Sequence, residues 1–182
     1  VLPKKKLSNT IIIHTEDKEL INELFEKISS SSSEISGAVF IPEEPEDKNY
    51  DHNKEKVFKL NDLKSKGSFL ALRIEGDKIS IDEKIKTLTD ELGLDKLNST
   101  ILDVHQSTPF WKKINNLELF KATKNNLLRV VIPPSKGNKL MQYLGNKYKY
   151  YVDWCGSLYW IEVQAKKNNK IGEIKKLIKE LE

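Results

Sequence analysis

Cysteine occurs once, as Cys155, so the chain can build neither an internal disulfide nor a cysteine-rich metal centre. A reducing, cytosolic setting is the simplest inference from that scarcity. His14, His52 and His105 are far apart, and no HExxH or Cys/His ligand spacing links them, so no metal site is expected. Glycine is sparse and never falls into GxGxxG or GxxxxGK[ST], which excludes the commonest nucleotide-phosphate loops. No serine sits in a GxSxG elbow. No apolar run approaches the ~20 residues of a membrane helix, and no signal peptide is seen, so membrane insertion is not expected. Arginine is rarest among the charged residues: Arg73 and Arg129 stand alone among many lysines.

What the chain does have is charge, at 32% of residues against 38% hydrophobic ones. That balance suits helices that bury one stripe and solvate the rest. Acids and bases interleave to a net charge of +4, a poor footprint for nucleic acid. A chain of 182 residues buries about 70% of its extended surface and folds without staples. It opens Val1-Leu2-Pro3 rather than with Met, which reads as a piece of something longer.

Periodicity gives an ordered series of elements. Residues 9–14 form a β-rich strand, and Thr15 caps a helix with Leu20, Ile21, Leu24, Phe25 and Ile28 inward. Strand 36–41 follows, then a polar excursion over 42–62 with a short strand around Val57 and Phe58, then strand 68–75. Ser80 and Glu83 make a capping box for the next helix, which Gly93 stops. Strand 98–104 leads to a bridging helix over about 107–117, carrying Phe110, Trp111 and Ile114 inward. Strand 127–132, a helix capped by Ser135, a hairpin of 148–154 with 157–164, and a helix over 169–181 complete the order. This predicts an α+β fold: an antiparallel sheet with helices on one face, built from two ferredoxin-like units, the second lacking its last strand. The first lobe spans about 8–104 and the second about 126–182, and the missing strand suggests that the C-terminus, too, was cut.

Two signals remain. Arg73 and Arg129 lie mid-strand, where a guanidinium needs a partner: a carboxylate such as Glu75 or Glu162, or the anionic group of a ligand. The second signal is the aromatic run 148–160, YKYYVDWCGSLYW. Alternation puts Tyr148, Tyr150, Val152 and Trp154 on one face of the hairpin, with Tyr151 and Asp153 opposite and Gly156 in the turn. Rings on both faces predict a surface covered by another domain. Asp103 and His105, two apart, read either as a polar strand end or as neighbours near a site.

These segments resemble the FAD-binding (E) subunit of bacterial glycolate oxidase, within the FAD-linked oxidases of the vanillyl-alcohol oxidase type. The resemblance rests on Leu128-Arg129-Val130-Val131-Ile132-Pro133-Pro134, on Asp153-Trp154-Cys155-Gly156 followed by Trp160, on Glu34-Ile35-Ser36-Gly37-Ala38, on Leu72-Arg73-Ile74-Glu75-Gly76, on Val1-Leu2-Pro3-Lys4 and on Phe110-Trp111. Cys155 departs from the family's usual glycine, and Leu128 from its usual tryptophan.

The resemblance implies the C-terminal cap domain of an FAD-dependent 2-hydroxy-acid dehydrogenase. The flavin-binding domain lies outside this chain, and Arg73, Arg129, Asp153 and Trp154 are candidates facing the flavin. It further implies FAD in the full-length protein and none in this piece, which alone is expected to be inactive, with no catalytic residue assigned. The implied partners are the flavin domain, a second flavoprotein, an iron–sulfur subunit and a small 2-hydroxy acid. Nucleic acid is not among them, and the implied location is cytoplasmic, with membrane association only through partner subunits. Two other classes stay open: a single-stranded nucleic-acid platform using Tyr148, Tyr150 and Trp160, and a structural subunit docking an electron-transfer partner.

Overall fold

The computed structural model describes residues 7–43, 67–120, 125–145, 147–164 and 168–181. The segment Val1-Leu2-Pro3-Lys4 and the strand expected around Val57 and Phe58 lie outside them. β1 (Leu7–His14), α1 (Lys18–Ser30), β2 (Gly37–Ile41), β3 (Phe69–Gly76), α2 (Lys78–Leu92) and β4 (Ser99–Leu102) form the first lobe. α3 (Val104–Asn115) bridges to β5 (Asn126–Val131), α4 (Gly137–Leu144), β6 (Tyr150–Asp153), β7 (Leu158–Val163) and α5 (Asn168–Leu181).

All seven strands join one antiparallel sheet in the order β4-β1-β3-β2-β6-β7-β5. The first lobe reads fourth-first-third-second, the ferredoxin-like order, and the second reads second-third-first with no fourth strand among the described residues. The predicted α+β architecture is therefore present. β2 and β6 weld the lobes at Phe40 opposite Val152.

Alternation divides the sheet's side chains between two faces. On one face Ile11, Ile13, Leu70, Leu72, Phe40 and Tyr159 are buried under α1, α2, α4 and α5, whose own stripes include Ile21, Leu88, Leu140 and Ile174. Full burial of each such side chain contributes about 1.5–3 kcal/mol. On the opposite face Ile12, Val39, Ile41, Phe69 and Ala71 pack against Phe110, Trp111 and Ile114 of α3. The bridging helix thus crosses to the side that the other four helices leave.

Helix starts differ from the sequence reading, because neighbouring aspartates rather than the expected threonine and serines take the caps. Asp17, not Thr15, caps α1 by accepting from the N–H groups of Glu19 and Leu20, while Thr15 accepts from the Asp17 N–H. Asp77 caps α2 by accepting from the Ser80 N–H, so Ser80 lies inside the helix. Asp103 and Gln106 form a capping box, which starts α3 at Val104 and shortens β4 to Ser99–Leu102. The pair Asp103 and His105 is accordingly a helix start, with the His105 N–H donating to Asp103 at 2.8 Å. α4 has no side-chain cap, and Ser135 lies in a single 3-10 turn before it.

Candidate functional site

Arg73 projects from β3 on the face that carries α3, directly opposite Gly37 of β2. Its Nε donates to Ser36 Oγ at 3.1 Å and its Nη2 to the Ser36 carbonyl at 2.8 Å. The guanidinium also lies 5.0 Å from the Trp111 ring centroid, a cation–π contact. Trp111 donates from Nε1 to Thr10 Oγ1 at 2.8 Å, and Thr10 shares a 2.7 Å bond with Ser107. Gly37 makes room for this stack, since a Cβ there would lie 3.2 Å from the Trp111 ring and 3.5 Å from Arg73 Nε. Arg73 is therefore half-buried and held by Ser36 and Trp111 rather than by Glu75 or Glu162. Glu162 instead accepts from Asn125 Nδ2.

Asp153 closes β6 on the same face. Burial pushes its carboxyl above the ordinary aspartate range, opposed by the Trp154 N–H bond and by the positive charge of Arg73. The Trp154 N–H donates to Asp153 Oδ1 at 2.8 Å. Beyond it the chain turns with three successive positive φ values, 50° at Trp154, 49° at Cys155 and 90° at Gly156. The Ser157 N–H returns to the Trp154 carbonyl at 3.2 Å, so Cys155 and Gly156 are the central residues of a turn that requires left-handed backbone. Holding a side-chain-bearing residue there costs roughly 1 kcal/mol or more, at two consecutive positions.

That twist corrects one expectation. Trp154 does not continue the Tyr148, Tyr150 and Val152 face, because its left-handed backbone breaks strand alternation. Its ring lies 5.3 Å from the Arg129 guanidinium, which is also 6.0 Å from the Trp160 ring. Trp160 and Tyr151 are cross-strand neighbours, and Trp160 and Arg129 are too. Trp154 is 57% exposed and Val131 53%, and Arg129 is exposed beside them.

The four candidates thus share one face in two pairs. Arg73 and Asp153 sit at the edge of the α3 cover, while Arg129 and Trp154 stand on the uncovered half. Tyr148 and Tyr150 are only 7% and 1% exposed and pack in the helix-side core, so neither can stack a base. The nucleic-acid reading loses two of its three rings. Sequence reasoning missed Ser36 and Thr10 as partners. The available signal was Gly37 opposite Arg73, a small residue that admits a large one.

No protein-family model matches the chain, and no curated protein matches it. Among solved structures, alkyldihydroxyacetonephosphate synthase is similar over 99% of this chain and 39% of its own, with TM-score 0.52 and 14% identity. A variant of berberine bridge enzyme matches over 95% of this chain and 40% of its own, with TM-score 0.47 and 12% identity. This chain spans about two fifths of the length of either. The likeness to the first shows that this chain shares the fold of a part of that synthase.

Proposed function

We propose that the chain is the cap domain of an FAD-linked oxidase, and that the uncovered half of its sheet faces a flavin-bearing domain. One observation carries the reading. A sheet whose one face is fully packed leaves Arg129, Val131 and Trp154 in water on the other, beside a turn held in left-handed backbone at Trp154 and Cys155. Exposed tryptophan beside a guanidinium that pairs with no described carboxylate marks a surface that another body covers. The fold it shares with part of an FAD-linked oxidase supports the same conclusion.

The more specific reading is a glycolate-type 2-hydroxy-acid dehydrogenase, supported by the motifs around Arg129 and Asp153. The residues present fit one side of such a site. An exposed guanidinium suits an anionic group, but no glycine-rich loop is available for a pyrophosphate. FAD, gripped elsewhere in the full-length protein, would supply the hydride-accepting chemistry. Within this chain, Arg129 would bind the carboxylate of the hydroxy acid, and Trp154 and Trp160 would exclude water around that ion pair. Arg73 would keep Asp153 oriented toward the same edge. A docking role toward an iron–sulfur or second flavoprotein subunit uses the same surface and is separated by co-purification.

The test is made in the longest polypeptide that encodes this chain. Arg129→Ala and Trp154→Ala are compared with wild type for bound flavin and for dye-linked oxidation of glycolate and lactate. Turnover falling at least about tenfold, or flavin loss, is expected, as for loss of a charge-assisted contact of about 1.5–3 kcal/mol. Unchanged flavin content and turnover in both variants would overturn the proposal.

A further inference from the structure

The two lobes are related by element order, and that relation points to a second occupant at the edge beside Arg129, one that would compete with the hydroxy-acid carboxylate for that guanidinium. In the first lobe β4 covers the outer edge of β1, antiparallel, with Thr10 opposite Leu102 and Ile12 opposite Thr100. The His14 N–H donates to the Asn98 carbonyl at 2.9 Å in the same register. Antiparallel ladders alternate, so Thr10, Ile12 and His14 are the residues of β1 whose backbone groups point at β4. Thr10 and Ile12 carry their side chains on the α3 face.

The second lobe repeats this parity without the strand. The Ile132 N–H donates to the Ser157 carbonyl at 3.0 Å, and β5 pairs with β7 in that register. Alternation then turns the backbone groups of Leu128 and Val130 toward β7, and those of Leu127, Arg129 and Val131 outward. Leu127, Arg129 and Val131 also carry their side chains on the bare face, as Thr10 and Ile12 do on the α3 side. Among the described residues nothing pairs with that edge. β5 is six residues long, with no proline or lysine inside it, and its single charge, Arg129, is the one guard on an otherwise open edge.

We propose that the outer edge of β5 is a strand-addition site for an antiparallel segment of a partner polypeptide bearing an aspartate or glutamate opposite Arg129. Charge selects the occupant. No described carboxylate pairs with Arg129, and its cross-strand neighbour on the outer side shares its face, within reach of an ion pair. A second copy of this chain fits poorly. The two-fold register that engages all three outward residues sets Leu127 against Val131 and Arg129 against Arg129, placing like charges together. Apolar residues flanking the acid would lie beside Leu128 and Val130, extending the helix-side layer.

The full chain is titrated with the synthetic peptide acetyl-Lys-Thr-Thr-Val-Glu-Val-Thr-Thr-Lys-amide, followed by tryptophan fluorescence and by residue-resolved amide hydrogen exchange. Saturable binding with Kd below about 1 mM is expected, with new protection at Leu127, Arg129 and Val131. Replacing the peptide's Glu by Lys is expected to weaken binding about fivefold to tenfold, and Arg129→Glu to reverse that preference. Val131→Pro removes an outward N–H without touching the β7 ladder and is expected to abolish binding. No saturable binding, indifference to peptide charge in both wild type and Arg129→Glu, or protection elsewhere would overturn the proposal. So would protection of those three amides in the free protein, whether the chain is monomeric or self-associated.

Discussion

Arg73 and Arg129 are the same residue type at the same kind of position, mid-strand on one face of one sheet, yet they live in different surroundings. Arg73 lies under α3, with its guanidinium bonded to Ser36 and stacked on Trp111. Arg129 lies where no described helix reaches, stacked among the described residues only on Trp154 and Trp160. The first arginine is part of how the molecule holds itself together, and the second is the one we propose meets another body. Strand alternation places both on one face, but only the path of the bridging helix decides which half of that face is interior.

Paired substitutions break or sharpen the contrast. Trp111→Ala should destabilise the chain by about 3–5 kcal/mol, because it empties the packing under α3 and removes one partner each from Thr10 and Arg73. Trp154→Ala should change stability by under about 0.5 kcal/mol, since that ring is 57% exposed. Urea unfolding measures both, and equal losses would erase the distinction between the halves. Gly37→Ala should cost about 1–3 kcal/mol, because the new Cβ meets the Trp111 ring at 3.2 Å.

A pH series probes the packed side. Burial raises the hydroxyls of Tyr150, Tyr151 and Tyr159, and that of Tyr148 to about 12. Each folded pKa lies above the unfolded value of about 10, so the unfolded chain loses its protons first. Their contribution is therefore complete below about pH 10 and drains away as pH rises through the folded values. Denaturant midpoints that fall steeply above that pH, with the tyrosinate absorbance of these four rings appearing only on unfolding, are the expected result. A small effect is expected at Asp153. Burial raises its pKa, so its carboxylate costs stability at neutral pH and that cost lifts as pH falls through the folded value. Asp153→Asn should accordingly be neutral or stabilising by under about 1 kcal/mol at pH 7.

Much of this was legible in the sequence, for identifiable reasons. Stripes such as Ile21, Leu24, Phe25 and Ile28, and alternation such as Leu70, Leu72 and Ile74, gave the element order and hence the two-lobed sheet. Helix starts were harder, because several aspartates, serines and threonines compete for each cap. Tertiary geometry then favoured Asp17, Asp77 and Asp103. The four candidate residues were recognisable as unusual, but not their pairing. The left-handed backbone at Trp154 moves its ring across the sheet, and alternation cannot anticipate a change of face inside a turn.

Trp154 itself reports most directly on whether a flavin-bearing domain covers this surface. Its fluorescence can be quenched with acrylamide in a Trp111→Phe, Trp160→Phe background, in this chain alone and in the longest polypeptide that encodes it. Ready quenching in the first and at least about tenfold protection in the second is the predicted result. Equal quenching in both would contradict the account.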